Sequence, residues 1–263
     1  MLKALMKKQM LEMTAFLFQN KKDGKKRSKM SLLLYGLLLL YSFGMIGFLF
    51  FQLADFVCEP YFSMGYGWLY FTLFGMMATG TGVFLSIFSI YSTLYQAKDN
   101  EFILSLPVPS HKILLAKMLG CYITSFAFEM IVLIPCYAVF IINQPFTVMQ
   151  IVMGVLNLFL LPLFAVSIAC ILGWIIALVA SKTKKNIKTF VTLAISVAFF
   201  GVYFYVMSGA SDFINVFVTN ADEIAGAVKY ALYPVYAMGH GAMGEISSYL
   251  IYAGAVLLLF GVV

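Results

Sequence analysis

The sequence predicts an all-α membrane protein: a six-span polytopic helical bundle preceded by an amphipathic helix in the membrane interface. Three observations carry this expectation. Of 263 residues, 63% are hydrophobic and 11% charged, whereas soluble domains run nearer half apolar and a quarter charged. The apolar residues gather into runs of the length that crosses a bilayer, about 20 residues each. Lys and Arg concentrate on one side of those runs, as the positive-inside rule requires.

Residues 1–29 come first, as a cytoplasmic amphipathic helix and a basic turn. Leu2, Leu5, Met6, Met13, Phe16 and Leu17 fall along one helical stripe, with Lys3, Lys7, Lys8 and Glu12 largely off it. A helix so divided lies in the interface plane. The segment 21–29 holds Lys21, Lys22, Lys25, Lys26, Arg27 and Lys29 around Gly24. It reads as a stop-transfer anchor facing anionic headgroups and membrane lipids. Without interleaved aromatics it is no platform for nucleic acid. The leader is too long and the first apolar run too full for a cleaved signal peptide.

The transmembrane domain, 30–263, is expected to place its spans near 30–54, 67–94, 113–142, 150–180, 189–208 and 246–263. The last run is still apolar at Val263, so a continuation beyond it is expected. Sixteen of the 17 Lys and Arg fall in the leader, the 95–112 loop with the start of span three, or "SKTKKNIK" after span four. The opposite loops carry Lys229 against Asp55, Glu59, Asp212, Asp222, Glu223 and Glu245. The expected location is the cell membrane, multi-pass, with a cytoplasmic N-terminus.

Outer loops 55–66 and 143–149 are short, whereas the outer segment 209–245 is long. Within it "AGAVKYALYPVYAM" suits a short helix dipping back toward the membrane and broken around Pro234. Such backbone is tolerated where protein or a water cavity satisfies it. Small residues four apart, Ala78 with Gly82 and Ala165 with Ala169, allow close helix approach, within one bundle or between subunits. Cys121, Cys136 and Cys170 fall within spans and Cys58 stands alone in the first outer loop, so no disulfide is expected there.

The catalytic constellations of membrane enzymes are missing: HExxH, GxSxG and paired intramembrane aspartates do not occur. His240 and Glu245 are too few for a metal site, and the histidine reads as a solvated loop residue. "DGKKRSK" lacks the first glycine of a phosphate loop, so ATP chemistry by that route would need another subunit. The chain is expected to be non-catalytic, with no cofactor or metal of its own.

One ionisable residue stands apart. Glu129 lies about eleven residues into span three, near the bilayer midplane. An intramembrane carboxylate is costly and marks function by default. It suits either a hydrogen-bonded structural role, with Ser125, Tyr122 or another tyrosine as partner, or a place in a transport pathway.

The loop "QAKDNEFILSLPVPSHKILLAK", residues 96–117, is unusually structured for a connector. Asp99 or Asn100 is a good N-cap and Glu101 suits the first turn. Phe102, Ile103, Leu104 and Leu106 follow, Pro107 ends the turn, and Ser110 is placed to cap the next helix. The expected short apolar helix at a Pro-Val-Pro corner fits docking onto a partner protein or folding back onto the headgroups.

With "LY" before it, this stretch resembles the loop between spans two and three of ABC-2 type permeases, the membrane subunits of ATP-binding-cassette exporters. The residues that carry the resemblance are Lys98-Asp99, the leucine-rich turn, Leu106-Pro107 and Ala116-Lys117. The leader, six spans and outer segment also resemble that type V exporter-like layout. The resemblance implies that 95–112 is a coupling loop. Asp99, Glu101, Phe102, Leu104, Leu106 and Pro107 would contact a separate ATPase subunit that binds ATP and Mg. It also implies a second permease half, either an identical chain or a missing C-terminal half. The function so implied is export across the cytoplasmic membrane, powered by ATP hydrolysed elsewhere. The alternatives are an ion-coupled secondary transporter using Glu129 and a non-transporting membrane assembly protein.

Overall fold

The computed structural model describes residues 28–95, 109–181 and 220–263, together with Met6, Lys8 and Gly201. Among these residues every regular element is a helix. The predicted fifth span, 189–208, the leader helix, and the contact residues of the 95–112 loop lie outside the described residues.

Helix α1 spans Lys29–Ser63 and opens on a Ser28 cap, whose Oγ accepts from the Ser31 N–H at 3.2 Å. Its 35 residues correspond to about 52 Å at 1.5 Å per residue, well beyond a hydrocarbon core of about 30 Å. The expected loop at 55–66 is therefore mostly helix. Asp55, Glu59 and Pro60 read as loop residues, yet the helix runs through them to a tight turn at 64–66. Long-range contacts hold that extension. Asn143 donates Nδ2–H to Asp55 Oδ1 at 2.7 Å, and Ala54, Val57, Cys58 and Tyr61 are buried. Cys58 is thus a buried helical thiol rather than a loop residue, and all four cysteines are free.

Helix α2 spans Gly67–Ile90 and ends in a π-helical turn, Tyr91–Tyr95. Helix α3 spans Ser110–Asn143 and α4 Val148–Ser181, each with 34 residues and an internal proline, Pro135 and Pro162. Pro109 occupies the N-cap of α3 and no side chain caps it, so Ser110 is the first helical residue and not the cap. Proline suits this entry because the first N–H groups of a helix lack intrahelical partners in any case.

Three shorter helices follow among the described residues: α5, Ala221–Ala231; α6, Tyr233–Ala242; and α7, Ile246–Val262. The break expected near Pro234 falls at Leu232, with the proline in the first turn of α6. Helix α6 packs against α2, α4 and α7, and its Ala237, Met238, Gly239, Gly241 and Ala242 are buried.

Four helices, α1 to α4, are long and apolar enough to cross a membrane. The chain is thus a membrane-embedded helical protein, and α7 adds a shorter apolar helix of 17 residues. The half of the bundle nearer α6 is filled by Tyr61, Tyr70, Phe74, Leu133, Phe140, Met238 and Tyr252. A smaller apolar cluster, Ile87, Ile90, Met118, Cys121, Val166, Ala169 and Cys170, closes the other half between α2, α3 and α4. Ala78, Ala165 and Ala169 are fully buried here, so the small-residue spacings serve packing within the bundle.

Polar contacts tie the helices together. The Tyr70 hydroxyl donates to the Cys136 carbonyl at 2.8 Å, the Tyr122 hydroxyl to the Phe159 carbonyl at 3.0 Å, and Gln150 Nε2–H to the Met243 carbonyl at 3.2 Å. At α6 the closeness itself is the device. A Cβ on Gly239 would stand 2.5 Å from the Trp68 carbonyl oxygen and run into the Thr72 hydroxyl. Gly239→Leu should therefore push α6 off α2 and cost about 1–3 kcal/mol, the usual range for overpacking. A lowered thermal midpoint in detergent would show it, and an unchanged midpoint would contradict the close packing.

Candidate functional site

The candidate site is a seam of polar side chains inside the bundle, with Glu129 at its middle. Glu129 is fully buried on α3. It lies about 21 Å along the helix from Asn143, while Gly82 lies about 22 Å along α2 from Gly67. The two therefore meet at one level. A Cβ on Gly82 would run into Glu129 Oε1 and come within 2.8 Å of Ser125 Oγ. The missing side chain at 82 is what makes room for the carboxyl group.

Ser125, one of the partners expected from the sequence, donates its hydroxyl to Glu129 Oε1 at 2.7 Å. Oε2 has no hydrogen-bond partner. Tyr252 from α7 and Tyr122 from α3 lie within electrostatic reach of the carboxyl.

The same seam continues toward α6. Asn157 on α4 donates Nδ2–H to the Tyr137 hydroxyl at 3.3 Å, while its Oδ1 is unpaired. Tyr249 and Tyr252 stand with ring centroids 6.2 Å apart, and both hydroxyls are buried without a partner. Ser86, one turn past Gly82, is likewise buried with an unpaired Oγ. Among the described residues, five unsatisfied buried atoms along the bundle interior call for an explanation, because each costs on the order of 1–3 kcal/mol.

Of the residues singled out in the sequence, Glu129 belongs to this seam. Asp99, Glu101, Phe102, Leu104, Leu106 and Pro107 lie outside the described residues. Asn157, Tyr137, Tyr249 and Tyr252 were not anticipated. A lone asparagine in the 34-residue apolar run of α4 and two tyrosines three apart at the start of α7 were the available signals.

His240 corrects an expectation. It is no solvated loop residue but part of α6, stacked on Trp68 at 4.8 Å and against Tyr236 at 4.4 Å. Its Nδ1 lies 3.2 Å from Glu245 Oε2. Burial pushes its pKa below the ordinary 6.5, with Glu245 opposing and Lys229 reinforcing the shift. Among the described residues no three His, Cys, Asp or Glu side chains converge as metal ligands would.

Compared with protein-family models, with curated proteins and with solved structures, the chain finds no match. The reading of the site therefore rests on its own chemistry.

Two outcomes follow. Ser125→Ala leaves both carboxyl oxygens unpaired and should destabilise the bundle by about 1–3 kcal/mol, measured by denaturation in detergent; no loss would mean that the hydrogen bond is immaterial. For His240, a folded-state pKa below the ordinary value means that the unfolded chain binds the proton more readily. Its contribution to stability is present above pH 6.5 and lost as pH falls below it. The thermal midpoint should drop on acidification, and His240→Gln should flatten that drop.

Proposed function

We propose that this chain is the membrane-spanning permease subunit of an ABC exporter. In this reading it sits in the cell membrane with a cytoplasmic N-terminus and is driven by ATP that a separate nucleotide-binding subunit hydrolyses. The observation that carries the reading is the broken helix pair α5–α6, folded back onto the bundle ahead of α7. It stands where the layout resembling ABC-2 permeases puts a re-entrant outer segment. The coupling-loop sequence between α2 and α3 supports the same reading. Asp99, Glu101, Phe102, Leu104, Leu106 and Pro107 would be the contacts to the ATPase, and a second permease half would complete the pathway.

A second reading, an ion-coupled transporter, is favoured by a specific observation: the carboxyl of Glu129 is fully buried with one oxygen unpaired. Intramembrane carboxyls of this kind serve as proton relays in pumps and transporters.

The two readings separate experimentally. An ATPase encoded beside this chain should co-purify with it and be lost on Phe102→Asp or Leu104→Asp. Retention of the ATPase by both variants would sink the coupling-loop assignment. Transport that persists without ATP but collapses with the proton gradient, and with Glu129→Gln, would instead establish the carrier.

A further inference from the structure

The seam has two unlike ends. Toward α6 the seam holds Tyr249 against Gly241, Tyr252 beside Tyr249, and Asn157 beside Tyr137, with Glu129 and Ser86 at its other end. They come from α7, α4, α3 and α2, and all five of the unpaired residues are at least 95% buried. Past Ser86 the buried polar groups are paired: Ser89 meets Cys121 Sγ, Ser167 donates to the Leu163 carbonyl and Lys117 to the Thr93 carbonyl. Ile87, Ile90, Met118, Val166 and Cys170 close the opposite end.

Buried polar groups without protein partners are met in proteins by internal water, which binds where two to four polar groups converge. An apolar cluster of the second kind stays dry. We infer that the unpaired atoms line an internal file of water running from the α6 end to Glu129, and that Glu129 exchanges its proton with the α6 side of the membrane alone. At the inner end of the file the carboxyl of Glu129 fills the space that Gly82 leaves. The ligand class is water and hydronium.

Among the described residues the groups facing Glu129 are few. Tyr252 comes from α7 and Tyr122 from α3 itself, α2 offers Gly82 and Ser86, and α4 offers Asn157 further toward α6. None of these carries a positive charge, so the carboxyl relies on Ser125 and on water for its hydrogen bonds. Leaving an ionised carboxylate in such a place without either would be far costlier than leaving the neutral acid. The inference deepens the second functional reading, but it concerns proton access and needs no transport to be tested.

The test uses the full chain in sealed vesicles of uniform orientation, with the pH of the two compartments set separately. The probe is dicyclohexylcarbodiimide, which attacks protonated buried carboxyls, read by mass spectrometry of the peptide that carries Glu129. Labelling should fall roughly tenfold per pH unit once the α6 side is alkaline enough to ionise the group. It should not respond to the other side, and Glu129→Gln should abolish it.

Asn157→Leu, which blocks the file, should make labelling insensitive to α6-side pH. Val166→Ser, which wets the closed end, should let the opposite compartment titrate the group. Either variant suffices if the other fails to fold. Labelling of the unaltered chain that follows the opposite compartment, or neither, would overturn the inference. Because neither ATP nor cargo is present, failure of proton-coupled transport would remove the carrier reading and leave this result standing.

Discussion

In a hydrocarbon solvent a helix gains little from hiding its apolar side chains, since lipid tails are as apolar as leucine. Everything in this bundle depends on that constraint. What holds the helices must come from close packing, which centres on α2, and from the few interhelical hydrogen bonds, most of which involve α3. Fully buried Ala78 and the bare backbone of Gly82 let α2 approach α3, while Gly239 brings α6 onto the Trp68 turn. Tyr70 then spends its hydroxyl on a carbonyl of α3 at 2.8 Å. Removing α2 would leave α3 and α4 without their principal neighbour.

That arrangement explains why a carboxyl group is tolerated in the middle. Gly82 supplies space but no hydrogen bond, and Ser125 supplies one hydrogen bond to one oxygen. A site designed purely for stability would have no need of a carboxyl here, because apolar side chains of similar volume at 125 and 129 would avoid its desolvation. Its retention, together with four more unpaired polar atoms on the same interior path, is a cost that a merely structural bundle has no reason to bear.

Much of this was legible in the chain itself, and the limits have physical causes. Composition and run length gave the helical membrane class and the bounds of α3 and α4 to within a few residues, because a span must be long and apolar. Glu129 was visible as a lone charge in hydrocarbon, and Ser125 as a partner one turn away. The extension of α1 to Ser63 was not visible. Asp55, Glu59 and Pro60 have loop chemistry, and what keeps them helical is Asn143, 88 residues away in sequence. His240 failed for the same reason, since the ring stack on Trp68 joins segments that periodicity cannot pair. Tyr249 and Tyr252 gave no signal of burial, because that burial depends on the packing of α6 against α7.

The closed end of the bundle connects the two functional readings. Lys117 is 6% exposed and donates its ammonium to the Thr93 carbonyl at 2.8 Å, so it satisfies the exposed carbonyl end of α2 where the π-helical turn loosens it. A cation at a helix C-terminus is favourable, and a π turn is a common place for a helix to yield. This contact ties the last turn of α2 to the second turn of α3, on either side of the 95–112 loop. Ile87, Ile90, Met118 and Cys121, which keep the polar seam closed, sit within two turns of it. A force applied to the loop, as the exporter reading requires, would act first on those residues. The part of the bundle that such a force would open is therefore the part that now separates Glu129 from the Lys117 end.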